Sequence, residues 1–505
     1  MSPTAAVFFR RCFSNVIPRR EKKVGDLTLW QALRSLTWIQ WAQFWCGWIA
    51  WICDSYDFFS VSLSVTALEK QFDKKATSIT TAITLTLLFR SLGAIIFGIA
   101  SDRFGRKWPL VVNLLFAAAF ELGSGFVQDF ASFLVVRSFF GVAMGGIWGL
   151  AASTALENLP VEVRGLASGF LQEGYAVGYL LAAVVNLTLV PETPTGWRGL
   201  FWLGSGLSFL AAVVRAVLPE SQVFLRAKAA ERASGRTTKH KTKVFLHETK
   251  VMLRRHWILC CYAVVLMTAF NFLSHGSQDL YPTYLQTTKG FSPHDSTVAT
   301  IIGNCGAIAG GTLAGWLSQY IGRRLTIVLF VLLVGAFIPL WILPSTFGAL
   351  SAGAFCVQFG VQGAWGVIPI QLAEMSPLAF RATFPGVAYQ LGNMVSSASA
   401  QIETTGGNHI RTTIFKDGKL TDVPDYATVQ GILVGVVAGF LVLCTIVGPE
   451  HHGSHFEKAK AAFEEGAGED EVAPDADATP ARADIESDSS SRPRSIEEVR
   501  EKEVD

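Results

Sequence analysis

Long apolar runs separated by short charged loops set the pattern of this chain. Twelve windows are long enough to cross about 30 Å of hydrocarbon as helices: 41–66, 79–100, 108–127, 132–153, 164–187, 198–218, 257–285, 296–318, 324–343, 347–372, 381–402 and 427–447. The pattern predicts an all-α membrane protein. Its expected divisions are a basic tail (1–40), a six-helix bundle (41–218), a basic linker (219–256), a second six-helix bundle (257–448) and an acidic tail (449–505). The last of these is rich in Ser, Pro and Glu, a composition expected to stay disordered. One window departs from the apolar rule. The run Trp257–Phe270 continues into Asn271-Phe272-Leu273-Ser274-His275-Gly276-Ser277-Gln278-Asp279. At about 100° per residue, Asn271, Ser274, His275, Gln278 and Asp279 share an arc of about 140°, and Phe272, Leu273, Gly276 and Leu280 point the other way. In a bilayer such a polar stripe is costly unless it faces a cavity, so it marks a candidate functional site.

Composition agrees. Half of the 505 residues are apolar and 16% are charged, against about a quarter in soluble domains. The net charge of +2 hides a strong segregation. With both termini on one side, that side collects 24 Lys and Arg before the acidic tail. The other side carries Lys70, Lys74, Lys75, Arg198, Lys289, Arg411, Lys416 and Lys419. That bias predicts cytoplasmic termini. The paired arginines Arg10-Arg11 and Arg19-Arg20, with no acid before Glu21, also resemble a mitochondrial presequence, which leaves the inner mitochondrial membrane as the alternative location. The eight cysteines show no Cys-x-x-Cys and no metal-ligand spacing, so they read as buried thiols, and no metal or cofactor is expected.

The two halves repeat. Gly98-Ile99-Ala100-Ser101-Asp102-Arg103-Phe104-Gly105-Arg106-Lys107 follows span 2, and Gly315-Trp316-Leu317-Ser318-Gln319-Tyr320-Ile321-Gly322-Arg323-Arg324 follows span 8, 217 residues later. Glu157-x-x-Pro160-x-x-x-Arg164 and Glu374-x-x-Pro377-x-x-x-Arg381 have the same offset, as do Trp148-Gly149 and Trp365-Gly366. Three matches at one offset indicate an internal duplication. Paired six-helix halves with Asp-Arg-x-Gly-Arg-Lys after span 2 resemble the major facilitator superfamily. The resemblance implies the twelve-helix major facilitator fold, with two pseudo-symmetric bundles rocking about a midplane site. It assigns gating, not substrate contact, to Asp102, Arg103, Arg106, Glu157, Arg164, Glu374 and Arg381. Gln319 stands where the first copy has Asp102, which confines that acid's role to the first half.

Charges at central depth are the next signal. Asp54 and Asp57 lie in span 1, Arg90 in span 2, Glu121 in span 3, Arg137 in span 4, Glu173 in span 5 and Asp279 in span 7. Arg215, near the end of span 6, can snorkel to the interface. Glu121 and Arg137 fall at similar depth, so an ion pair is feasible and Arg137 then only balances Glu121. Its duplication mate is Ala354, however, as suits a substrate contact needed in one half alone, and its planar donors suit a carboxylate. The same offset makes Asp54 and Asn271 mates. Five acids against two arginines cannot all stay ionised in a low-dielectric site, so some should carry a proton. His275 and Asp279, one turn apart, are placed to share one.

The pattern Asn271-x-x-Ser274-His275-x-Ser277-Gln278-Asp279-x-x-x-Thr283 is similar to the span 7 signature of the fungal carboxylate–proton symporters, the Jen-type lactate/pyruvate permeases. Asp54-Ser55-Tyr56-Asp57-Phe58-Phe59, Arg90-Ser91-Leu92-Gly93-Ala94 and Arg137 followed by Gly141 and Gly145 add to it. The resemblance implies proton symport of short carboxylates such as lactate, pyruvate, acetate or succinate at the plasma membrane. It implies substrate binding by Arg137, Asn271, Ser274, His275 and Gln278, and proton coupling by Asp279, His275, Asp57, Asp54 and Glu121. The expected partners are a small carboxylate, protons and the lipid bilayer, with no nucleic acid.

Rival readings are a transporter-like nutrient sensor and a proton symporter of another organic anion or a sugar. Ser487, Ser489, Ser490, Ser491 and Ser495 of the acidic tail are candidate phosphorylation sites, and Lys458 and Lys460 candidate ubiquitin acceptors, for ubiquitin-ligase or trafficking adaptors. The sequon Asn186-Leu187-Thr188 lies too near the bilayer to be an expected glycosylation site. No nucleophile elbow, phosphate loop or metal cluster is present in the sequence, so an enzyme is not expected.

Overall fold

The structure, a computed structural model, describes residues 28–157, 159–220, 224–225, 238–377, 380, 383–416 and 419–450, with the side chains of 102, 161, 238–242, 415 and 416 outside that description. The first bundle holds span 1 (Trp38–Phe72), span 2 (Ala76–Phe104), span 3 (Lys107–Phe126), span 4 (Phe130–Met144 and Ile147–Leu156), span 5 (Val161–Thr188) and span 6 (Arg198–Val217). The second holds span 7 (Trp257–Gln278 and Tyr281–Thr287), span 8 (Pro293–Ile321), span 9 (Arg323–Ile342), span 10 (Phe347–Gly366 and Ile368–Met375), span 11 (Thr383–Ser396 and Ser399–His409) and span 12 (Tyr426–Val447). Ten of the twelve are long and apolar enough to cross a membrane by themselves. Span 1, with its two aspartates, and the broken span 11 are the others. Span 1 packs against spans 4, 5 and 6, and span 11 against spans 7 and 2, so tertiary contacts support what composition alone would not. Leu88, Leu92, Ile96 and Ile99 form an exposed apolar face along span 2, as a lipid-facing surface requires.

The duplication is visible in the packing. Gly93 of span 2 passes so close to span 4 that a Cβ would strike the carbonyl of Val142, and Gly310 of span 8 meets Phe359 of span 10 in the same way. Each pair is offset by 217. The loop glycines Gly105 and Gly322 are mates as well, with φ of 99° and 92°, a region open to glycine and closed to other residues at low cost.

Four spans are broken, and prolines account for two breaks. Pro282, at the start of the second segment of span 7, offers no N–H to the carbonyl four residues back. Pro369 does the same in span 10. One element was not expected. The loop between spans 11 and 12 forms an antiparallel hairpin of β1 (Arg411–Lys416) and β2 (Lys419–Pro424), with Lys416 opposite Lys419. The Asp417-Gly418 pair between the strands is a turn signal. An exposed Arg411–Asp422 ion pair of 2.8 Å bridges the strands.

Candidate functional site

The stripe of span 7 lies at the boundary between the bundles, and all five of its polar side chains are buried. His275 is held at both ring nitrogens. Nδ1 lies 3.1 Å from the Asp279 carboxylate and Nε2 lies 3.0 Å from Oδ1 of Asn393 in span 11. Asn393 in turn donates to Gln390 at 2.7 Å. Asp279 caps the C-terminus of the first segment of span 7, so its carboxylate sits at the break. On the other edge of the stripe, Ser274 donates to Gln278 at 2.9 Å, and Gln278 donates to Gln358 of span 10 at 2.7 Å. Asn271 donates to the carbonyl of Tyr389 at 3.2 Å. Three of these residues, Asn271, His275 and Gln278, are thus tied to spans 10 and 11, whose part in the site single-sequence reading did not reveal.

From the first bundle, Phe58 meets His275 edge to face with ring centres 5.6 Å apart. The guanidinium of Arg90 lies 6.0 Å from the centre of the same Phe58 ring and pairs with Asp54 at 2.5 Å. Tyr175 of span 5 and Tyr389 of span 11 lie within electrostatic reach of Arg90. The arginine at the bundle boundary is therefore Arg90. Next to this layer, Tyr179, Gln278, Tyr281, Asn304 and Gln358 line a cavity of about 10 Å³, room for about one water.

Arg137 stands elsewhere. It pairs with Glu121 at 2.6 Å and lies against Phe140 and Phe201, inside the first bundle among spans 3, 4 and 6. Among the described residues no hydrogen bond, ion pair or ring contact of Arg137 crosses to the second bundle. Asp57 joins this group and accepts from Ser208 of span 6 at 2.8 Å. The expected anchor Arg137, and Asp57 and Glu121 of the expected proton set, thus form an internal cluster. The physical reason is the one the depth argument allowed: a buried carboxylate at the same height needs a cation. Two further acids are engaged, one between the bundles and one within the second. Glu173 of span 5 accepts from Thr312 of span 8. Glu403, fully buried beyond the expected end of span 11, accepts from Gln430 at 2.7 Å and Ser399 at 3.2 Å. Because the apolar window closed at 402, Glu403 was not counted among the central acids.

Both approaches to this layer are closed. At one end Thr84 donates to the carbonyl of Ser397 at 2.9 Å, and Gln401 reaches Thr77, Thr80 and Thr81. At the other, Gly169 and Gly311 touch, and Ser168 bridges to span 10. On that second face lie the described residues of the set expected to gate. Arg106 pairs with Glu157 at 3.2 Å, and its mate Arg323 pairs with Glu374 at 3.1 Å. Arg164 is buried and donates to the carbonyl of Leu159 at 2.8 Å. The guanidinium of Arg103 packs on the ring of Phe104. Arg381 and the side chain of Asp102 lie outside the described residues. Two acids that sequence reading did not single out complete the pairs: Glu220 accepts from the Arg106 and Lys107 N–H groups at 3.1 and 3.0 Å, and Glu450 from the Arg323 N–H at 2.6 Å. Burial pushes the Glu450 carboxyl above its ordinary range, against the pull of that N–H, Arg324 and Arg323.

Two six-span halves, a shared polar layer at mid-depth and mated loop charges on one face describe a carrier that opens to either side in turn. The profile of the Major Facilitator Superfamily matches residues 47–400. The chain belongs to the Major Facilitator Superfamily. Among its relatives, a carboxylic acid transporter protein homolog of Saccharomyces cerevisiae is 36% identical over 430 residues, 83% of this chain and 69% of the relative. The cis,cis-muconate transport protein of Acinetobacter baylyi is 25% identical, covering 71% of this chain and 86% of its own. Among solved structures, the proton:xylose symporter XylE bound to 6-bromo-6-deoxy-D-glucose superposes with a TM-score of 0.64 at 18% identity, over 84% of this chain and 99% of XylE. That last likeness is one of fold. As a Major Facilitator Superfamily member, the protein is a multi-pass secondary transporter and not an enzyme.

Proposed function

We propose that this transporter carries short carboxylate anions together with protons across the plasma membrane, with both termini cytoplasmic. The observation that carries the reading is the composition of the polar layer. A guanidinium held by a carboxylate, Arg90–Asp54, and a histidine held by a carboxylate, His275–Asp279, both lie against one phenyl ring, that of Phe58. In this reading a proton on Asp54 releases Arg90, and the free fork takes the substrate carboxylate in its place. Asn271, Ser274 and Gln278 supply neutral hydrogen bonds, while His275 and Asp279 hold a second proton site. The layer then closes without a net unpaired charge, which is the condition for crossing a low-dielectric barrier. The names of the yeast and Acinetobacter relatives, a carboxylic acid transporter homolog and a muconate transport protein, support an organic acid as cargo.

Counterflow in proteoliposomes tests it directly. Vesicles loaded with unlabelled lactate should take up labelled lactate, pyruvate, acetate or succinate, and an imposed inward proton gradient should drive accumulation. Equal uptake with and without the gradient would remove proton coupling from the proposal. Uptake of xylose but of none of the acids would remove the carboxylate.

A further inference from the structure

The linker helix Thr238–Arg255 leads into span 7 with only His256 between them, on the face that carries the Arg106–Glu157 and Arg323–Glu374 pairs. Its described side chains sort onto two faces. At about 100° per residue, Val244, Phe245, Glu248 and Met252 fall within about 100° of arc. All four are buried, with the Phe245 ring 6.3 Å from Phe380. On the opposite face Leu246, Leu253 and Trp257 are 62, 50 and 56% exposed and line an open groove with Thr249, Lys250 and Arg254. Lys243, Lys250 and Arg254 fall within about 40° of each other along one edge of that stripe. The acid of this segment, Glu248, is on the buried face.

An exposed row of large apolar side chains needs a cover. A helix with an apolar stripe and a basic edge is the form that lies on a membrane surface. Trp257 starts span 7, and Val265 is exposed further along it, so the groove opens directly onto surface that faces hydrocarbon. We propose that this groove seats an anionic phospholipid of the adjoining leaflet. Lys250 and Arg254 hold the phosphodiester oxygens, and Leu246, Leu253 and Trp257 lie along the upper acyl chain. An acidic peptide segment, the chain's own residues 449–505 included, would match the cations but leave the apolar row in water. The site is independent of the transported substrate and ties the linker to the membrane while the bundles move.

Hydrogen exchange on the full-length protein tests the assignment, in vesicles of phosphatidylcholine alone and of phosphatidylcholine mixed with phosphatidylglycerol. Backbone amides of 243–256 should exchange more slowly in the mixed vesicles. Lys250→Glu with Arg254→Glu should weaken that preference about 25-fold, at about fivefold for each cation. Leu246→Ser with Leu253→Ser should also reduce the protection, and unchanged lactate counterflow should show that both variants fold. Identical exchange in the two lipids overturns the proposal. So does protection that is insensitive to the two serines, which would assign the cations to an acidic peptide, or protection reproduced by soluble glycerol phosphate in neutral vesicles.

Discussion

The hydroxyl of Tyr179 in span 5 donates to the backbone carbonyl of Gln278 in span 7 at 3.3 Å. Proline explains why that carbonyl is available: Pro282 has no N–H with which to close the helical turn back to Gln278. Span 5 also enters the break beside Pro369, one ladder step on from the bond the proline removes. Ser168 donates to the carbonyl of Gly366 at 2.9 Å and accepts from the N–H of Ile370 at 3.1 Å. Its hydroxyl is therefore inserted into the i to i−4 ladder of a helix in the opposite bundle. One span of the first half completes the broken backbone of two spans of the second. The bonds last only while the bundles are together, so each is a contact specific to the closed state.

Ser168→Ala should loosen the closure at the loop-motif face. Two buried backbone groups lose their partner in the closed state, whereas water satisfies them once that side opens. At about 1–3 kcal/mol for stranded polar groups, the open fraction should rise roughly fivefold to a hundredfold. A reporter cysteine at Ala373, in the groove beside Glu157 and Pro385, should react faster with a membrane-impermeant maleimide by that factor. An unchanged labelling rate would show that the inserted hydroxyl does not hold the gate.

Arg137 and Glu121 should behave as a folding pair. Removing one member of a buried ion pair costs about 3–5 kcal/mol, while replacing both by apolar residues of similar size is often neutral. Arg137→Met alone should therefore sharply reduce folded protein, measured by fluorescence-detected size exclusion after heating. Arg137→Met with Glu121→Leu should recover it. The double variant also decides Arg137's part in transport: substrate affinity within about threefold of the parent assigns the arginine to packing, and lost binding in a well-folded protein restores it as the carboxylate anchor.

The fold was legible because its signals are long-range and redundant. Apolar windows of about twenty residues, a single offset of 217 and mated loop motifs each point to two six-span halves, and the mates Gly93 and Gly310, or Arg106 and Arg323, occupy equivalent places. The stripe of span 7 was legible for a local reason: helical period alone puts its residues on one face. Which arginine faces that stripe was not. Arg90 and Arg137 both sit at central depth in the first bundle, and depth says nothing about azimuth. Asn393, Gln390 and Gln358 escaped notice because a neutral amide in a membrane helix carries no charge to account for. Glu403 escaped because the apolar window closed at 402, while the second segment of span 11 runs on to His409.

Asp279→Asn should separate exchange from accumulation. The amide keeps the size of the side chain and can still bond Nδ1 of His275, yet it cannot take up and release a proton. Lactate counterflow should persist at a rate within about tenfold of the parent, as expected when a uniform binding contact and not the moving step is altered. Accumulation driven by a proton gradient should fall to the equilibrium level. Gradient-driven accumulation at the parent level would place the coupled proton on another group.

Asp54→Asn and Arg90→Lys test the switch at the Arg90–Asp54 pair. In the parent, Asp54 competes with substrate for the guanidinium, so binding a carboxylate requires the aspartate to be protonated. The sign follows: affinity should rise as pH falls, because the proton that neutralises Asp54 frees Arg90. Asp54→Asn removes the competitor. Lactate should then bind more tightly than in the parent at alkaline pH, and its affinity should lose most of its pH dependence. Arg90→Lys keeps the cation opposite Asp54 but gives up the two parallel donors that fit a carboxylate. Loss of one charge-assisted bond, about 1.5–3 kcal/mol, should raise the dissociation constant by roughly 10- to 100-fold with little change in folded yield. Calorimetric titration of lactate against each variant at two pH values reads all of these effects. If Asp54→Asn weakens binding instead, the aspartate holds the arginine in its productive pose rather than competing for it, and the proposed order of proton before anion fails.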